Sequence, residues 1–340
     1  MSKDSKRFDP NAAAAQGSGI FGLPHGPKDA RLILVPVPFD ATTSYGGGAS
    51  AGPEAILAAS KQVDLFDLQN GKPYEQGICM LEDVDEIRAL SKRARKLALP
   101  ILEKGFASAK DKKAVAAVNQ AGAKVNAMVA RTVTRWLDKG KLVGVVGGDH
   151  SVPFGAIEAI AERNPGLGIL HVDAHADLRH AYEGFEWSHA SIMDNVVRKI
   201  PKVARIVQVG IRDFCEEELL AIQSSAGRVV THFDLEWQRK MARGTAFLEL
   251  CKEAVAALPG AVYVSFDIDG LDPALCPNTG TPVAGGLSFA QACLLLEAVV
   301  ESGRKIVGFD LNEVAPGEVG EWDANVGARV LYKLCGFALR

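Results

Sequence analysis

Near-continuous apolar runs recur along the chain, and each stops abruptly at polar or glycine-rich residues. Leu142-Val143-Gly144-Val145-Val146, Leu167-Gly168-Ile169-Leu170-His171-Val172 and Ala261-Val262-Tyr263-Val264-Ser265-Phe266 are such runs. This pattern marks strands buried on both faces of a parallel sheet. Residues 31–37 read as the first strand, and further strands are predicted near 204–210, 228–232 and 305–311. Helical patterns fill the intervals. Gly52-Pro53-Glu54 opens a helix with proline in its first turn. Between about 83 and 139, Val115, Val118, Val125 and Val129 follow helical spacing, which predicts two or three helices there. Others are predicted over 153–163, 189–200, 215–224, 237–257, 288–303 and 323–335. Alternation of this kind predicts a three-layer α/β/α sandwich around a mainly parallel sheet, with right-handed crossovers.

A chain of 340 residues with 48% hydrophobic content can bury a large core. No Pro/Ser-rich linker divides it, so residues 29–340 read as one domain, preceded by an arm over 1–28. The net charge of −3 leaves no electrostatic footprint for nucleic acid. No apolar stretch is long enough for a membrane span, and the first thirty residues lack the apolar core of a secretory signal. A cytoplasmic location is therefore expected. Six cysteines, Cys79, Cys215, Cys251, Cys276, Cys293 and Cys335, sit far apart without a C-x-x-C pair and read as reduced thiols. Cys276, the one near the candidate chemistry, reads as loop packing.

The candidate chemistry gathers where three apolar runs end: Gly147-Gly148-Asp149-His150, Asp173-Ala174-His175-Ala176-Asp177 and Asp267-Ile268-Asp269. One D-x-H or D-x-D alone is more often a cap or turn. Three of them, each at the carboxyl end of a buried strand, lie where open α/β sheets collect functional residues. Alternate residues of an extended chain share a face. Asp173, His175 and Asp177 can thus converge with Asp267 and Asp269, and His150 makes six. Four carboxylates held that close would force their own protonation unless divalent cations neutralised them. An oxygen-rich set with two imidazoles suits Mn, with Ni possible, better than a thiolate-seeking ion. Two such ions sharing a water lower its pKa from about 15.7 towards about 7, which suits hydrolysis.

These blocks carry a resemblance. Gly147-Gly148-Asp149-His150-Ser151, the Asp173–Asp177 block and Ser265-Phe266-Asp267-Ile268-Asp269-Gly270-Leu271-Asp272-Pro273 resemble the three signature segments of the ureohydrolase superfamily of arginases, agmatinases and formimidoylglutamases. Flanking segments match too: Pro38-Phe39-Asp40, Gly52-Pro53-Glu54-Ala55-Ile56, residues 279–287 and Asn312-Glu313-Val314-Ala315-Pro316. The resemblance implies an arginase-like sheet of about eight strands, two metal ions and a homo-oligomer, either trimer or hexamer. It places His150, Asp173, Asp177 and Asp267 around one ion or its bridge, and His175 with Asp269 at the second. His189 matches a histidine that shuttles protons or assists the leaving amine. Glu313 matches the carboxylate that grips the guanidinium, a planar cation suited to a fork. Thr281 lines the same pocket, and Asp149 reads as an orienting group. Departures occur around the histidine, where Ala190 replaces the usual glycine; Phe185 and Trp187 either wall the pocket or anchor the loop. Of the other histidines, His171 reads as a hydrogen-bonded core residue, His180 as exposed, and His25 and His232 have no partner pattern.

The expected reaction is hydrolysis of a C–N bond in a small guanidino or amidino compound, agmatinase-like, giving urea and an amine from a guanidine. Arg179 holds the alternative open. If its charge is free it attracts a carboxylate, as in a formimidoylglutamase or arginase; if it pairs with Glu183 or Glu186 it faces no ligand. Two other classes remain: a non-catalytic metal-binding partner subunit, motivated by the altered loop at His189, and a one-ion zinc deacetylase-like hydrolase, in which the second D-x-D lacks a purpose.

Overall fold

The computed structural model describes residues 8–318 and 320–340. Among them eight strands form one sheet: β1 (Leu32–Val37), β2 (Ile78–Met80), β3 (Leu142–Gly147), β4 (Leu167–Val172), β5 (Val203–Ile211), β6 (Val229–Phe233), β7 (Ala261–Asp267) and β8 (Lys305–Asn312). Their order is β2-β1-β3-β8-β7-β4-β5-β6, and every pairing is parallel. Helices α1 (Gly52–Ala59), α2 (Asp85–Leu102), α3 (Lys112–Leu137), α4 (Phe154–Arg163), α5 (Ile192–Lys199), α6 (Glu216–Ser224), α7 (Asp234–Ala242), α8 (Phe247–Ala256), α9 (Phe289–Glu301) and α10 (Trp322–Leu339) connect them. The three-layer sandwich is therefore present, with an all-parallel rather than mainly parallel sheet.

Strand alternation sorts the core into two layers. Leu32, Leu34, Leu170, Val172, Val264 and Phe266 pack with residues of α1, α8, α9 and α10 on one face. Ile33, Val35, Val143, Val145, Ile169 and Ile206 pack with α2, α3, α4 and α5 on the other. Within the arm expected over 1–28, residues 1–7 lie outside the described residues. Ile20, Phe21 and Leu23 are buried, with Phe21 edge-on to Tyr332 at 4.8 Å between ring centres.

Two elements differ from the sequence expectation. β2 is only three residues long, too short to show alternation. The helix predicted over 237–257 is two helices, because Gly244 turns into left-handed backbone at φ 97° between α7 and α8. Elsewhere glycine serves close approach. A Cβ on Gly155 of α4 would lie 2.1 Å from the Asn126 carbonyl oxygen of α3. Gly155→Ala is accordingly expected to destabilise the protein by about 1–3 kcal/mol through overpacking. A lower urea midpoint at unchanged slope would register it.

The topology positions the site. The chain leaves β3 through α4, skips two places in the sheet and lays down β4; β7 and β8 later fill the gap. The carboxyl ends of β3, β8, β7 and β4 are thus adjacent at the point where strand order switches, the ligand position of open α/β sheets.

Candidate metal centre

Four strand ends deliver the side chains. After β3, the chain passes so close to the Phe39 carbonyl that a Cβ on Gly148 would sit 2.0 Å from its oxygen. Asp149 then folds inward, donating its N–H to that carbonyl at 2.8 Å and accepting from the Ser151 N–H at 3.1 Å. His150 follows it into the centre. Its Nδ1 lies 3.0 Å from Asp173 Oδ2, 3.2 Å from Asp177 Oδ2 and 3.2 Å from Asp267 Oδ2. On the far side of the ring, Nε2 is 2.9 Å from Ser265 Oγ, which donates to Asp310 Oδ1 at 3.1 Å. His150 therefore carries its proton on Nε2 and aims a lone pair at the carboxylates when neutral.

The second half is built around His175, whose Nδ1 is 3.1 Å from Asp269 Oδ2 and 3.4 Å from Asp173 Oδ1. A short turn over Ile268–Gly270 sets Asp269 in place, with its N–H donating to Asp267 Oδ1 at 2.9 Å. Donor atoms of His150, His171, Asp173 and Asp177 lie within 4.8 Å of one another, as do those of Asp173, His175 and Asp269. Asp173 belongs to both groups, and Asp267 joins the first through His150. The six residues singled out in the sequence are together, and the structure adds His171.

Burial and crowding set the charges. Burial first, then the neighbouring Asp173, raises Asp177 to about 7. Burial, then Asp269 and Asp173, pushes Asp267 well above the usual carboxylate range. Burial opposes a charge on His175, yet Asp269 and Asp173 carry it to about 12. His150 is likewise raised, against its burial, by Asp173, Asp177 and Asp267. The cluster thus holds itself together with imidazolium protons that divalent cations would displace. This donor set fits such ions: oxygen-rich, convergent, buried, and short of positive charge.

Over the centre lies a cavity of about 140 Å³ whose lining includes Asp177, Arg179, Tyr182, His189, Asp213 and Thr281. Larger spaces exist, one of about 600 Å³ beside residues 8–15, but they lack this donor chemistry. His189 is buried, its N–H donating to Thr42 Oγ1 at 3.2 Å. Burial, then His175 and His150, lowers it to about 3, so its ring is neutral. Thr281 Oγ1 reaches Asp269 Oδ2 at 3.4 Å. Glu313 follows β8 in left-handed backbone at φ 61°, and Asp177 sits at φ 54°. Such conformations cost of order 1 kcal/mol or more and collect at functional sites. One Glu313 oxygen accepts the His150 N–H at 2.9 Å; the other is buried with no hydrogen-bond partner among the described residues.

Arg179 is placed where the sequence did not put it. Its partner is neither Glu183 nor Glu186 but Glu218, on α6, with Nε 3.5 Å from Oε2, and its guanidinium stacks on the Tyr182 ring at 4.7 Å. Glu186 pairs with Lys199 instead. Phe185 is buried in the core and Trp187 packs edge-on against Phe154 at 5.0 Å, so both anchor the loop and neither lines the cavity. His180 is exposed beside Asp194. Cys276 is buried under the turn, its Sγ 3.2 Å from the Ile268 carbonyl, and the six cysteines are unpaired.

A parallel sheet flanked by helices, with two His/Asp groups sharing one carboxylate at its switch point, defines a ureohydrolase with the clusters typical of a binuclear metal site. A profile of the arginase family matches residues 30–336, and the chain belongs to that family. It is 33% identical over 321 residues to the N(1)-aminopropylagmatine ureohydrolase of Thermus thermophilus, covering 93% of this chain and 94% of the relative. It is 30% identical to the agmatinase of Pyrococcus horikoshii, covering 92% and 94%. The solved structure of proclavaminate amidino hydrolase from Streptomyces clavuligerus superposes with a TM-score of 0.71 at 26% identity, covering 96% of this chain and 99% of that one. The protein is thus an agmatinase-like hydrolase of carbon–nitrogen bonds in linear amidines. Among the described residues no helix is long and apolar enough to cross a membrane.

Proposed function

We propose that the protein hydrolyses an amine-tailed guanidino compound, agmatine or a longer relative, to urea and an amine, with two Mn ions held by His150, Asp173, His175, Asp177, Asp267 and Asp269. Ions bound there would supply Lewis acidity and lower the pKa of a water they share. The chain supplies the rest. Glu313 offers its free oxygen to the guanidinium, Asp177 orients the attacking water and carries its proton, and neutral His189 accepts or returns a proton near the leaving amine. Thr281 walls the cavity beside Asp269. A homo-oligomer, trimer or hexamer, belongs to the same reading.

The observation that carries the substrate class is the state of Arg179. Glu218 offsets its charge and Tyr182 covers its face, while Asp213 lines the same cavity and is exposed. The mouth is therefore net acidic and favours a cationic tail over a carboxylate. This disfavours the formimidoylglutamase and arginase alternatives. The full chain loaded with Mn, tested on agmatine, aminopropyl-agmatine, arginine and formimidoylglutamate, is expected to show the highest kcat/KM on an amine-tailed guanidine. Higher kcat/KM on a carboxylate-bearing substrate would reverse the assignment, and no turnover of any would return the chain to the partner-subunit reading.

A further inference from the structure

One polar row crosses the hydrophobic sheet immediately below the metal centre. In register, Asp310 of β8 pairs with Ser265 of β7, Ser265 with His171 of β4, His171 with Gln208 of β5 and Gln208 with Thr231 of β6. His171, Gln208, Ser265 and Asp310 are completely buried. Buried polar groups are costly unless each donor and acceptor is matched, so the pattern of matching fixes the protons.

Gln208 Nε2 lies 2.7 Å from the Ala176 carbonyl, which only accepts, so the nitrogen and not the oxygen faces that way. Its oxygen then accepts from Thr231 Oγ1 at 2.7 Å. The second Nε2 hydrogen points to His171 Nδ1 at 3.0 Å, which must carry a lone pair. The proton of the His171 ring is therefore on Nε2. That proton meets Asp173 Oδ2 at 2.8 Å, while Asp173 Oδ1 accepts the His175 N–H at 2.6 Å. With a hydrogen on it, Nε2 is not a metal donor, although it lies within the first ligand group.

We propose that His171, locked as an Nε2–H donor by Gln208, is a positioning residue that holds Asp173 so that Oδ2 faces the His150 group and Oδ1 the His175 group. The inference rests on the two-ion reading above. Asp173 is the one residue common to both groups, so its rotation would loosen both halves at once. Partners of this kind typically change metal affinity or activity by about 10–100-fold.

The test uses the full chain, stripped of metal and titrated with Mn alone by calorimetry, so substrate identity does not enter. His171→Phe and Gln208→Leu are expected to weaken Mn binding by about 10–100-fold. Gln208→Leu removes the donor that keeps a lone pair on Nδ1 without adding a charge, so the neutral ring is no longer held as the Nε2–H tautomer, read by nitrogen NMR of labelled histidine. His171→Gln, which keeps an N–H donor within reach of Asp173, should recover binding to within a few-fold of wild type, a rescue that mere filling of space would not give. Should His171→Phe fail to fold, Gln208→Leu and His171→Gln decide. Mn affinity unchanged in Gln208→Leu, or His171→Gln as damaging as His171→Phe, overturns the proposal. Absence of Mn binding in the wild type would instead overturn the two-ion reading itself.

Discussion

Glu313→Gln is expected to lower kcat/KM by about 30- to 4,000-fold, the range that 2–5 kcal/mol of a buried charge pair represents. The substitution is close to isosteric. Its remaining oxygen can still accept the His150 N–H at 2.9 Å, so the turn after β8 keeps its hydrogen bond. What changes is the other terminus, an unpartnered buried oxygen that becomes an NH₂ where the proposed substrate would bring a cationic guanidinium. Burial, then Asp267 and Asp149, raises the Glu313 carboxyl well above the usual range. A bound guanidinium would relieve that, so charge on Glu313 and occupancy by substrate should reinforce each other. Steady-state kinetics with agmatine, alongside metal content, measures this. An unchanged kcat/KM at full metal content would remove Glu313 from substrate binding.

The convergence of these side chains was readable in the sequence because their relations are local. Asp173, His175 and Asp177 follow one strand, and Asp267 and Asp269 follow another, so period-two spacing and strand-end position were sufficient to group them. Joining the groups needed only the rule that parallel strands collect function at one end. Glu313 and Thr281 had no such local signal and entered through family resemblance alone. Arg179 shows where local reading stops. Nearby Glu183 and Glu186 were the obvious partners, yet α6 brings Glu218 from 39 positions away to within 3.5 Å. No pattern along the chain encodes that approach.

His171 is an intermediate case. Its spacing of two from Asp173 was visible, and so was its place in an apolar strand; a hydrogen-bonded core residue was the right description. The identity of its partners was not accessible, because Gln208 and Thr231 reach it only once β4, β5 and β6 are in register. Among the elements, β2 escaped because three residues cannot display a period. The break at Gly244 does carry a local signal, a glycine amid helix-forming residues.

Removing the metal is expected to make stability fall as pH rises above about 6.5, and restoring Mn is expected to widen the difference in Tm between loaded and stripped protein across the same interval. Asp177 is raised by burial and Asp173 to about 7, and Asp149 and Asp310 are raised, chiefly by burial, to about 6. These carboxyls hold protons that the unfolded chain has already released near pH 4. Their stabilising contribution is complete at low pH and disappears as pH climbs through 6 to 7. His175, raised to about 12 by Asp269 and Asp173 against its burial, keeps its proton far beyond the unfolded value of 6.5. Its contribution is complete below 6.5 and drains away above it. Lowered His189 and His171 act oppositely, gaining with pH, but only until the unfolded chain's imidazoles have lost their protons near 6.5. Above that value these imidazoles no longer oppose the loss, and each excess proton held by the folded state costs about 1.4 kcal/mol per pH unit. Mn offsets this fall, since binding ejects the protons held by Asp177 and the two imidazoles and so tightens with pH. Thermal unfolding at fixed free Mn between pH 6.5 and about 8.5 tests the account. A Tm difference that stays constant or narrows would mean that these carboxylates and imidazoles do not hold the cations.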